Sequence, residues 1–300
     1  MSFEEVMIPA EGGVELHAWV FRPEGFEGPR PAITMAHGFG GIKYVGLKAY
    51  AELFAEHGYV VVVHDHRGFG FSGGDIRGDI DPWQQIADWR RVISYTEALE
   101  EVDPTRIGLW GSSYAGGHAF VLGATDRRLK AIVSQIPTIS GYEQGLRRIP
   151  EEFRAMVEAK FDADERAQLN GEPPAMQLML SADPNVPAVY HSQDAIDLIG
   201  QFEYPEGIST DEFVTVRSSR RAMMYEPGAW VPRVSPTPVL MVVASQDTVT
   251  PTEMQLEAYE KLHEPKRLEL YEGGHFDAYV NQFEKTSGAA LKWFLEHLAP

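Results

Sequence analysis

Short apolar runs recur along the chain and predict the strands of a buried sheet. PAITMAH (31–37) and YVVVVHD (59–65) are continuously apolar, which is typical of strands covered on both faces. VELHAWVFRP (14–23) alternates apolar and polar residues, which predicts a strand with one exposed face. Four further buried runs follow: RIGLWGS (106–112), LKAIVSQ (129–135), TPVLMVVAS (237–245) and KRLELYE (266–272).

Segments with helical spacing lie between these runs. The clearest is DPWQQIADWRRVISYTEALE (81–100), where Asp81 is the expected N-cap and Pro82 occupies the first helical position. Other helices are predicted over residues 46–56, from Tyr114 onward, over 251–263 and over 279–298. Strands that alternate with helices indicate the α/β class, with a mostly parallel sheet that has helices on both faces.

The alternation of predicted strands and helices stops between Ile136 and about Arg233. Strand-like runs disappear there, and helical patches are broken by Gly/Pro clusters such as NGEPPAM and SADPNVP. We therefore predict a core built from residues 1–136 and 233–300, with an inserted, mainly helical cap at 137–232.

Composition and charge narrow the classes of function. The 300 residues are 44% hydrophobic and 23% charged, as in ordinary globular proteins. A formal charge of −18 repels phosphate backbones and anionic lipid, so neither a nucleic acid nor a membrane is an expected partner. Because cysteine is absent, thiolate catalysis and Cys-based zinc sites are excluded. With no signal-like or membrane-spanning stretch, we expect a soluble, cytoplasmic protein, and a homodimer stays open.

The stretch GSSYAGG (111–117) follows a predicted buried strand and precedes a predicted helix. A nucleophile elbow requires this context, since the turn exposes a serine hydroxyl at the carboxyl edge of the sheet. Ser113 is the candidate nucleophile, with Gly111 two residues before it and Ala115 two residues after it, where a stricter motif has glycine. A Gly/Ser-rich turn without catalytic role explains the stretch equally well when it is considered alone.

Two later loops supply the partners that a serine nucleophile needs. Asp247 follows the run VLMVVAS, and His275 follows KRLELYE. Groups at the carboxyl ends of parallel strands converge on one crevice, and the chain order Ser113, Asp247, His275 is the nucleophile, acid, base order of one serine-hydrolase architecture. A lone aspartate or histidine after a strand is usually structural, but together the three predict a catalytic triad.

An acyl-transfer site also needs donors for the oxyanion. The loop HGFGG (37–41) follows an early buried strand, so the backbone N–H groups of Phe39 and Tyr114 are the expected pair. His37 is expected to brace this loop.

These motifs resemble those of α/β-hydrolase-fold proteins. The resemblance rests on HGFGG, DHRGFGFSGG (65–74), GSSYAGG, Asp247 and His275, and it spans most of the chain outside the cap. It implies a mostly parallel eight-stranded sheet and a serine hydrolase that cleaves a carboxylic ester or thioester without a metal or an organic cofactor. Tyr114 and the glycines beyond it resemble the branch of dienelactone-hydrolase-like and X-Pro dipeptidyl-peptidase-like enzymes, which includes fungal polyketide hydrolases and acyltransferases.

Other interpretations stay open or are disfavoured. The same triad could cleave an amide after proline or a carbon–carbon bond, or transfer an acyl group to an alcohol, and the same fold could act as a small-molecule receptor. GFGFSG (68–73) matches a dinucleotide fingerprint, but no helix is predicted to start at its end. His64 and His66 lack further ligands at metal-binding spacing, so structural histidines are favoured.

The cap is rich in aromatic and methionine side chains, some of which should line an apolar pocket over the serine. Tyr142, Met176 and Trp230 are the candidates for substrate binding. Arg147 and Arg148 form a basic pair that is best explained as solvated, the alternative being contact with a substrate carboxylate.

Overall fold

The computed structural model describes residues 2–208 and 212–300, and its core is one eight-stranded sheet. The order across the sheet is β1-β2-β4-β3-β5-β6-β10-β11, antiparallel from β1 through β4 and parallel beyond. The strands in chain order are β1 (Phe3–Pro9), β2 (Glu15–Phe21), β3 (Arg30–Ala36), β4 (Val60–His64), β5 (Val102–Ser112), β6 (Leu129–Gln135), β7 (Met176–Ser181), β8 (Ala188–His191), β9 (Phe213–Thr215), β10 (Val239–Ala244) and β11 (Lys266–Tyr271).

Helices cover both faces of this sheet. In chain order they are α1 (Leu47–Glu56), α2 (Pro82–Glu97), α3 (Tyr114–Thr125), α4 (Gly141–Arg148), α5 (Glu151–Leu169), α6 (Gln193–Ile199), α7 (Val216–Met223), α8 (Thr252–Lys261) and α9 (Phe283–His297). Helices α1 and α9 pack together on one face, while α2 packs against α3 and α8 contacts β10. The α/β class and the mostly parallel sheet are therefore confirmed.

Local sequence signals explain where α2 begins. The Asp81 side chain accepts hydrogen bonds from the N–H groups of Trp83 and Gln84, and Pro82 is the first helical residue. This arrangement satisfies two amides that have no partner inside the helix. The prediction made for Asp81 and Pro82 is confirmed.

Strand β2 differs from its predicted exposure. Every residue after Glu15 is buried, although the alternating pattern predicts one exposed face. At His17, the backbone N–H donates to Ser72 Oγ at 2.8 Å and the ring packs edge-on against Phe71. The 65–74 turn therefore covers this part of the strand.

The segment between β6 and β10, where a mainly helical cap is predicted and which we continue to call the cap, also differs from its prediction. It carries helices α4 to α7, but it includes a three-stranded sheet of order β8-β7-β9. The expectation that strand-like runs are absent between Ile136 and Arg233 is wrong for these strands. Their sequences are MQLMLS, AVYH and FVT, and none of them alternates strictly between apolar and polar residues or forms a long apolar run.

Among the helices of the described residues, none combines the length and the apolar character that crossing a membrane requires.

Candidate active site

Ser113 occupies a sharp turn between β5 and α3. Its backbone has φ 58° and ψ −117°, a conformation that is costly for a residue with a side chain. Its N–H donates to the carbonyl of Gln135 at 2.8 Å, and its carbonyl accepts from Thr138 N–H at 3.0 Å and Gly117 N–H at 3.2 Å. Because these three backbone bonds hold the turn, the hydroxyl stands out at the carboxyl end of the sheet.

Small residues on either side of Ser113 allow this turn to close. A Cβ added at Gly111 would lie 2.3 Å from the carbonyl oxygen of Ala115, and one at Gly116 would lie 2.9 Å from that of Gln135. Real Cβ atoms do not approach backbone this closely, so glycine is required at both positions. The Ala115 methyl group is fully buried in the core. The absence of a glycine at 115 is therefore compatible with an elbow.

The structure brings Ser113, His275 and Asp247 together in a hydrogen-bonded relay. His275 Nε2 lies 3.0 Å from Ser113 Oγ, and His275 Nδ1 lies 2.8 Å from Asp247 Oδ2. The carboxylate can only accept, so Nδ1 carries the hydrogen and Nε2 faces the serine as an acceptor. The three residues follow β5, β10 and β11, as expected for groups at the carboxyl ends of parallel strands.

Asp247 is held by more groups than the sequence suggests. Its Oδ1 accepts from the N–H groups of Val249 at 2.9 Å and Thr250 at 2.8 Å. Its Oδ2 accepts from Thr250 Oγ1 at 2.8 Å and Gln255 Nε2 at 3.1 Å. Burial by itself would raise the pKa of Asp247, but the adjacent His275 and the bonds from Thr250 outweigh it and lower the pKa below its ordinary value. The carboxylate stays ionised and fixed toward the imidazole.

The loop after β3 lies directly against Ser113. A Cβ added at Gly38 would lie 2.8 Å from Ser113 Cβ and 3.1 Å from its Oγ. The next residue, Phe39, packs its ring edge-on against Tyr114, with centroids 5.4 Å apart. Tyr114 is the first residue of α3, and the first amides of a helix have no intrahelical acceptor. The two predicted oxyanion donors thus belong to segments that border Ser113.

His37 braces the same loop. Its ring stacks on Tyr279 at 5.3 Å, and its Nδ1 accepts from the N–H of Gly38 at 2.8 Å. Burial lowers the pKa of His37 to about 3. The imidazole is therefore neutral near pH 7, which leaves Nδ1 free to accept.

A buried ion pair anchors the far end of this loop. The ammonium group of Lys43 contacts Asp65 Oδ2 and lies 2.7 Å from His17 Nδ1, while the backbone N–H of Lys43 donates to Asp65 Oδ1 at 2.7 Å. Lys43 and Asp65 are fully enclosed, and burial lowers the pKa of Lys43 although the Asp65 carboxylate opposes this shift. The 65–74 turn is thereby tied to the segment that carries Phe39.

Ser113 and His275 open into a small apolar pocket under the cap, which we call the inner pocket. Its volume is about 90 Å³. Cap residues form much of its wall, and these are Met179, Leu180, Tyr190, Ser192, Ala195, Leu198 and Ile199.

A second cavity of about 1150 Å³, which we call the outer cavity, adjoins the inner pocket. The two share four wall residues: Phe39, Tyr190, Ser192 and Val249. The outer cavity is lined mainly by α5, the end of α4 and the 184–194 segment. Sites for drug-sized ligands usually measure about 300–1,000 Å³, so the outer cavity has room for the bulk of a substrate that the inner pocket cannot hold.

The predicted substrate-binding residues lie elsewhere, since neither cavity is lined by Tyr142, Met176 or Trp230. Tyr142 is 52% exposed at the start of α4, and Met176 is 46% exposed at the start of β7. Side chains alternate along a strand, so Met179, three positions later, faces the pocket instead. Trp230 packs beside the core beneath the guanidinium of Arg233. Substrate binding by these three residues stays a prediction that the lining of the two cavities does not support.

Sequence reasoning also missed several residues of the site. Thr250 and Gln255 bind the Asp247 carboxylate. The only sign of this in the sequence is that Thr250, a residue with a hydroxyl group, lies three positions after Asp247. Two other buried histidines bond within the core: His118 Nδ1 lies 2.8 Å from the Tyr225 hydroxyl, and His66 Nε2 donates to the carbonyl of His37 at 3.2 Å. Throughout residues 2–208 and 212–300, no group of three or more His, Asp or Glu side chains is placed to hold a metal ion.

Comparison with known proteins gives consistent results at the level of family, sequence and structure. A family model described as X-Pro dipeptidyl-peptidase (S15 family) matches residues 12–277. The chain is 32% identical over 290 residues to the quorum-quenching protein AidA of Acinetobacter baumannii (strain MDR-ZJ06), covering 96% of this chain and 92% of that protein.

Two fungal proteins are similar over comparable lengths. The polyketide transferase grgF of a Penicillium species is 30% identical over 288 residues, covering 96% of this chain and 94% of the relative. The thiohydrolase aneE of Aspergillus aculeatus is 28% identical over 306 residues, covering 99% and 94%. The crystal structure of the alpha/beta hydrolase GrgF from Penicillium sp. sh18 aligns with a TM-score of 0.85 at 27% identity, covering both chains completely.

Proposed function

The chain belongs to the X-Pro dipeptidyl-peptidase (S15) family of α/β hydrolases, and from this premise we propose that it is a serine hydrolase of carboxylic esters or thioesters. The observation that carries the proposal is the relay from Ser113 through His275 to Asp247 at the floor of an apolar pocket. Serine is a weak nucleophile until an oriented base takes its proton, and the relay supplies both the base and the group that orients it.

The reaction follows from this geometry. His275 Nε2 takes the hydroxyl proton while Ser113 Oγ attacks the substrate carbonyl carbon. The amides of Phe39 and Tyr114 stabilise the oxyanion that forms, each contributing about 3 kcal/mol if they behave as in comparable sites. His275 then gives the proton to the leaving alcohol or thiol, and water hydrolyses the acyl-enzyme by the same route. The apolar walls of Met179 and Leu198 exclude bulk water from the attack.

An ester or thioester suits the cavities better than a peptide with a free amino terminus. The outer cavity is lined by the cations Arg148 and Lys160 and by one carboxylate, Asp194. Such a wall gives a terminal ammonium group little electrostatic stabilisation. The thiohydrolase aneE, at 28% identity, supports thioester cleavage.

Acyl transfer is the second candidate, and the outer cavity favours it. A cavity of about 1150 Å³ that adjoins the inner pocket, into which Ser113 opens, can hold the bulk of an acceptor alcohol. The polyketide transferase grgF, at 30% identity, supports this alternative. Hydrolysis and transfer share every step up to the acyl-enzyme.

A fluorophosphonate probe, which reacts with activated serines, tests the nucleophile. We expect the native protein to be labelled and Ser113→Ala to be unlabelled. Ser112→Ala is the matched control, because the Ser112 hydroxyl is buried 2.6 Å from the Tyr279 hydroxyl and does not face the pocket. Equal labelling of native protein and Ser113→Ala would refute the assignment. Turnover of p-nitrophenyl esters of graded chain length, with and without an added alcohol, then separates hydrolysis from transfer.

A further inference from the structure

The adjacent arginines at the end of α4 have different surroundings. The guanidinium of Arg147 forms an ion pair with Glu253 at the start of α8. Arg148 lines the outer cavity, where its guanidinium carbon lies 4.6 Å from the centre of the Tyr190 ring. In the described part of the chain, no carboxylate lies within ion-pair distance of Arg148. The sequence presents them as one basic pair, but only Arg148 faces the cavity.

Tyr190 connects Arg148 to the wall of the inner pocket. The Tyr190 ring lines both the inner pocket and the outer cavity, and it packs edge-on against Phe39 with centroids 5.6 Å apart. Phe39 in turn follows Gly38, which touches Ser113. A guanidinium that stacks on an aromatic face keeps its N–H edge available for an oxygen ligand. Arg148 is therefore oriented by Tyr190 while its hydrogen-bond donors stay open.

The charge of the outer cavity contrasts with that of the whole protein. The chain carries a formal charge of −18. Lys160 nevertheless joins Arg148 in the wall, and its ammonium group donates to a neutral acceptor, Gln177 Oε1, at 2.8 Å. Asp194 is the one carboxylate among the lining residues, and it belongs to an exposed segment. An anionic substrate group would thus meet two cations whose charge is not already neutralised by direct pairing.

We propose that Arg148 is a specificity-determining residue that binds an anionic oxygen group, a carboxylate or a phosphate, on a substrate whose scissile carbonyl lies at Ser113. The proposal rests on the proposed hydrolase function and adds the chemical class of the substrate. The inner pocket receives the apolar part beside the carbonyl, and the outer cavity receives the remainder with its charge. Arg148 can bind either group through two parallel N–H···O bonds.

Matched substrate pairs test this assignment and separate the two sources of charge. The first pair is the p-nitrophenyl monoester of suberic acid, which ends in a carboxylate, and p-nitrophenyl octanoate. The second pair is octanoyl-coenzyme A, which carries phosphates, and the N-acetylcysteamine thioester of octanoate. One of these pairs should carry the same kind of charged group as the natural substrate. For that pair, we expect Arg148→Gln to lower the ratio of kcat/KM for the anionic substrate to kcat/KM for the neutral one about tenfold. The change should be mainly in KM, because the contact lies away from the reacting atoms.

Arg147→Gln is the matched control, since it removes the same charge one residue away without changing the cavity wall. It should leave both ratios as in the wild type. If Arg148→Gln retains the wild-type ratio for both pairs, the proposal is overturned. A fall in the suberate pair alone assigns a carboxylate, and a fall in the coenzyme A pair alone assigns a phosphate.

Salt dependence of the wild type gives a second readout, which does not depend on how a variant folds. The KM of the favoured anionic substrate should rise as NaCl increases from roughly 0.05 to 0.5 M, because the Debye length shortens and the attraction to Arg148 is screened. The KM of its neutral partner should not change. A flat KM for both members overturns the proposal. Labelling of Ser113 is independent of these ratios, so failure of the hydrolase assignment and failure of the Arg148 assignment give different results.

Discussion

The hydroxyl of Thr250 lies 2.8 Å from the Asp247 carboxylate oxygen that also accepts the hydrogen bond of His275. It lies 3.1 Å from the carbonyl of Ile136, which follows β6 in a positive-φ conformation, and 3.2 Å from His275 Nδ1. One buried hydroxyl therefore connects the end of β6 to the loops that carry Asp247 and His275. This position makes Thr250 a positioning residue for the relay.

Thr250→Val removes the hydroxyl and keeps the side-chain shape, so Asp247 loses one fixed donor. We expect kcat to fall about tenfold with KM nearly unchanged, because a hydrogen bond to a charged group contributes about 1.5–3 kcal/mol and this one is not made to substrate. Steady-state kinetics with a p-nitrophenyl ester measures the effect. Thr250→Ser, which keeps the hydroxyl, should recover most of the activity; equal kcat in Thr250→Val and wild type would contradict the role.

Gly38→Ala tests how closely the loop HGFGG (37–41), which we call the oxyanion loop after its proposed role, approaches Ser113. The added methyl group would lie 2.8 Å from Ser113 Cβ and 3.1 Å from the Ser112 carbonyl, so the loop must move away. We expect kcat/KM to fall about 100-fold, as when an oxyanion donor is lost. Gly288→Ala is the control, because a Cβ there meets nothing within 4 Å and alanine favours helix α9. If Gly38→Ala kept full activity, the position of the Phe39 amide would not depend on the close contact between Gly38 and Ser113.

Much of the fold and of the relay could be predicted because local patterns carry them. Continuous apolar runs and helical spacing indicate the parallel sheet, and the topology of such a sheet brings the loops with Ser113, Asp247 and His275 to one edge. Asp81 and Pro82 mark the start of α2 for equally local reasons.

The residues that were missed depend on contacts between distant segments. Composition suggests that methionines line the pocket, but the choice between Met176 and Met179 depends on which face of β7 turns inward. Arg147 and Arg148 are adjacent in the sequence, and only the position of Glu253 on α8 separates their roles. The contact that covers His17 on β2 likewise comes from a distant segment, since Ser72 lies 55 residues after His17.

Lys43→Met tests the ion pair that anchors the oxyanion loop. The substitution leaves the Asp65 carboxylate buried without its cation, and we expect the free energy of unfolding to fall by about 3 kcal/mol. Urea unfolding followed by tryptophan fluorescence measures this change. Lys48→Met is the control, since its pairing with Glu52 at 3.8 Å lies on the exposed face of α1 and such pairs contribute only about 0–1 kcal/mol. If the free energy of unfolding fell by the same amount in both variants, the buried pair of Lys43 and Asp65 would stabilise the protein no more than the exposed pair does.

The buried histidines predict loss of stability in mild acid. Burial lowers the pKa of His66 from 6.5 to about 4, although its hydrogen bond to the His37 carbonyl opposes the shift. Below pH 6.5 the unfolded chain therefore binds a proton that the folded chain refuses, so stability falls as the pH drops toward 4, by up to about 1.4 kcal/mol per pH unit for this residue. In urea unfolding from pH 7 to 5, the free energy of unfolding should fall less steeply with pH for His66→Gln than for the wild type. Parallel slopes for His66→Gln and wild type would show that His66 does not contribute to the loss.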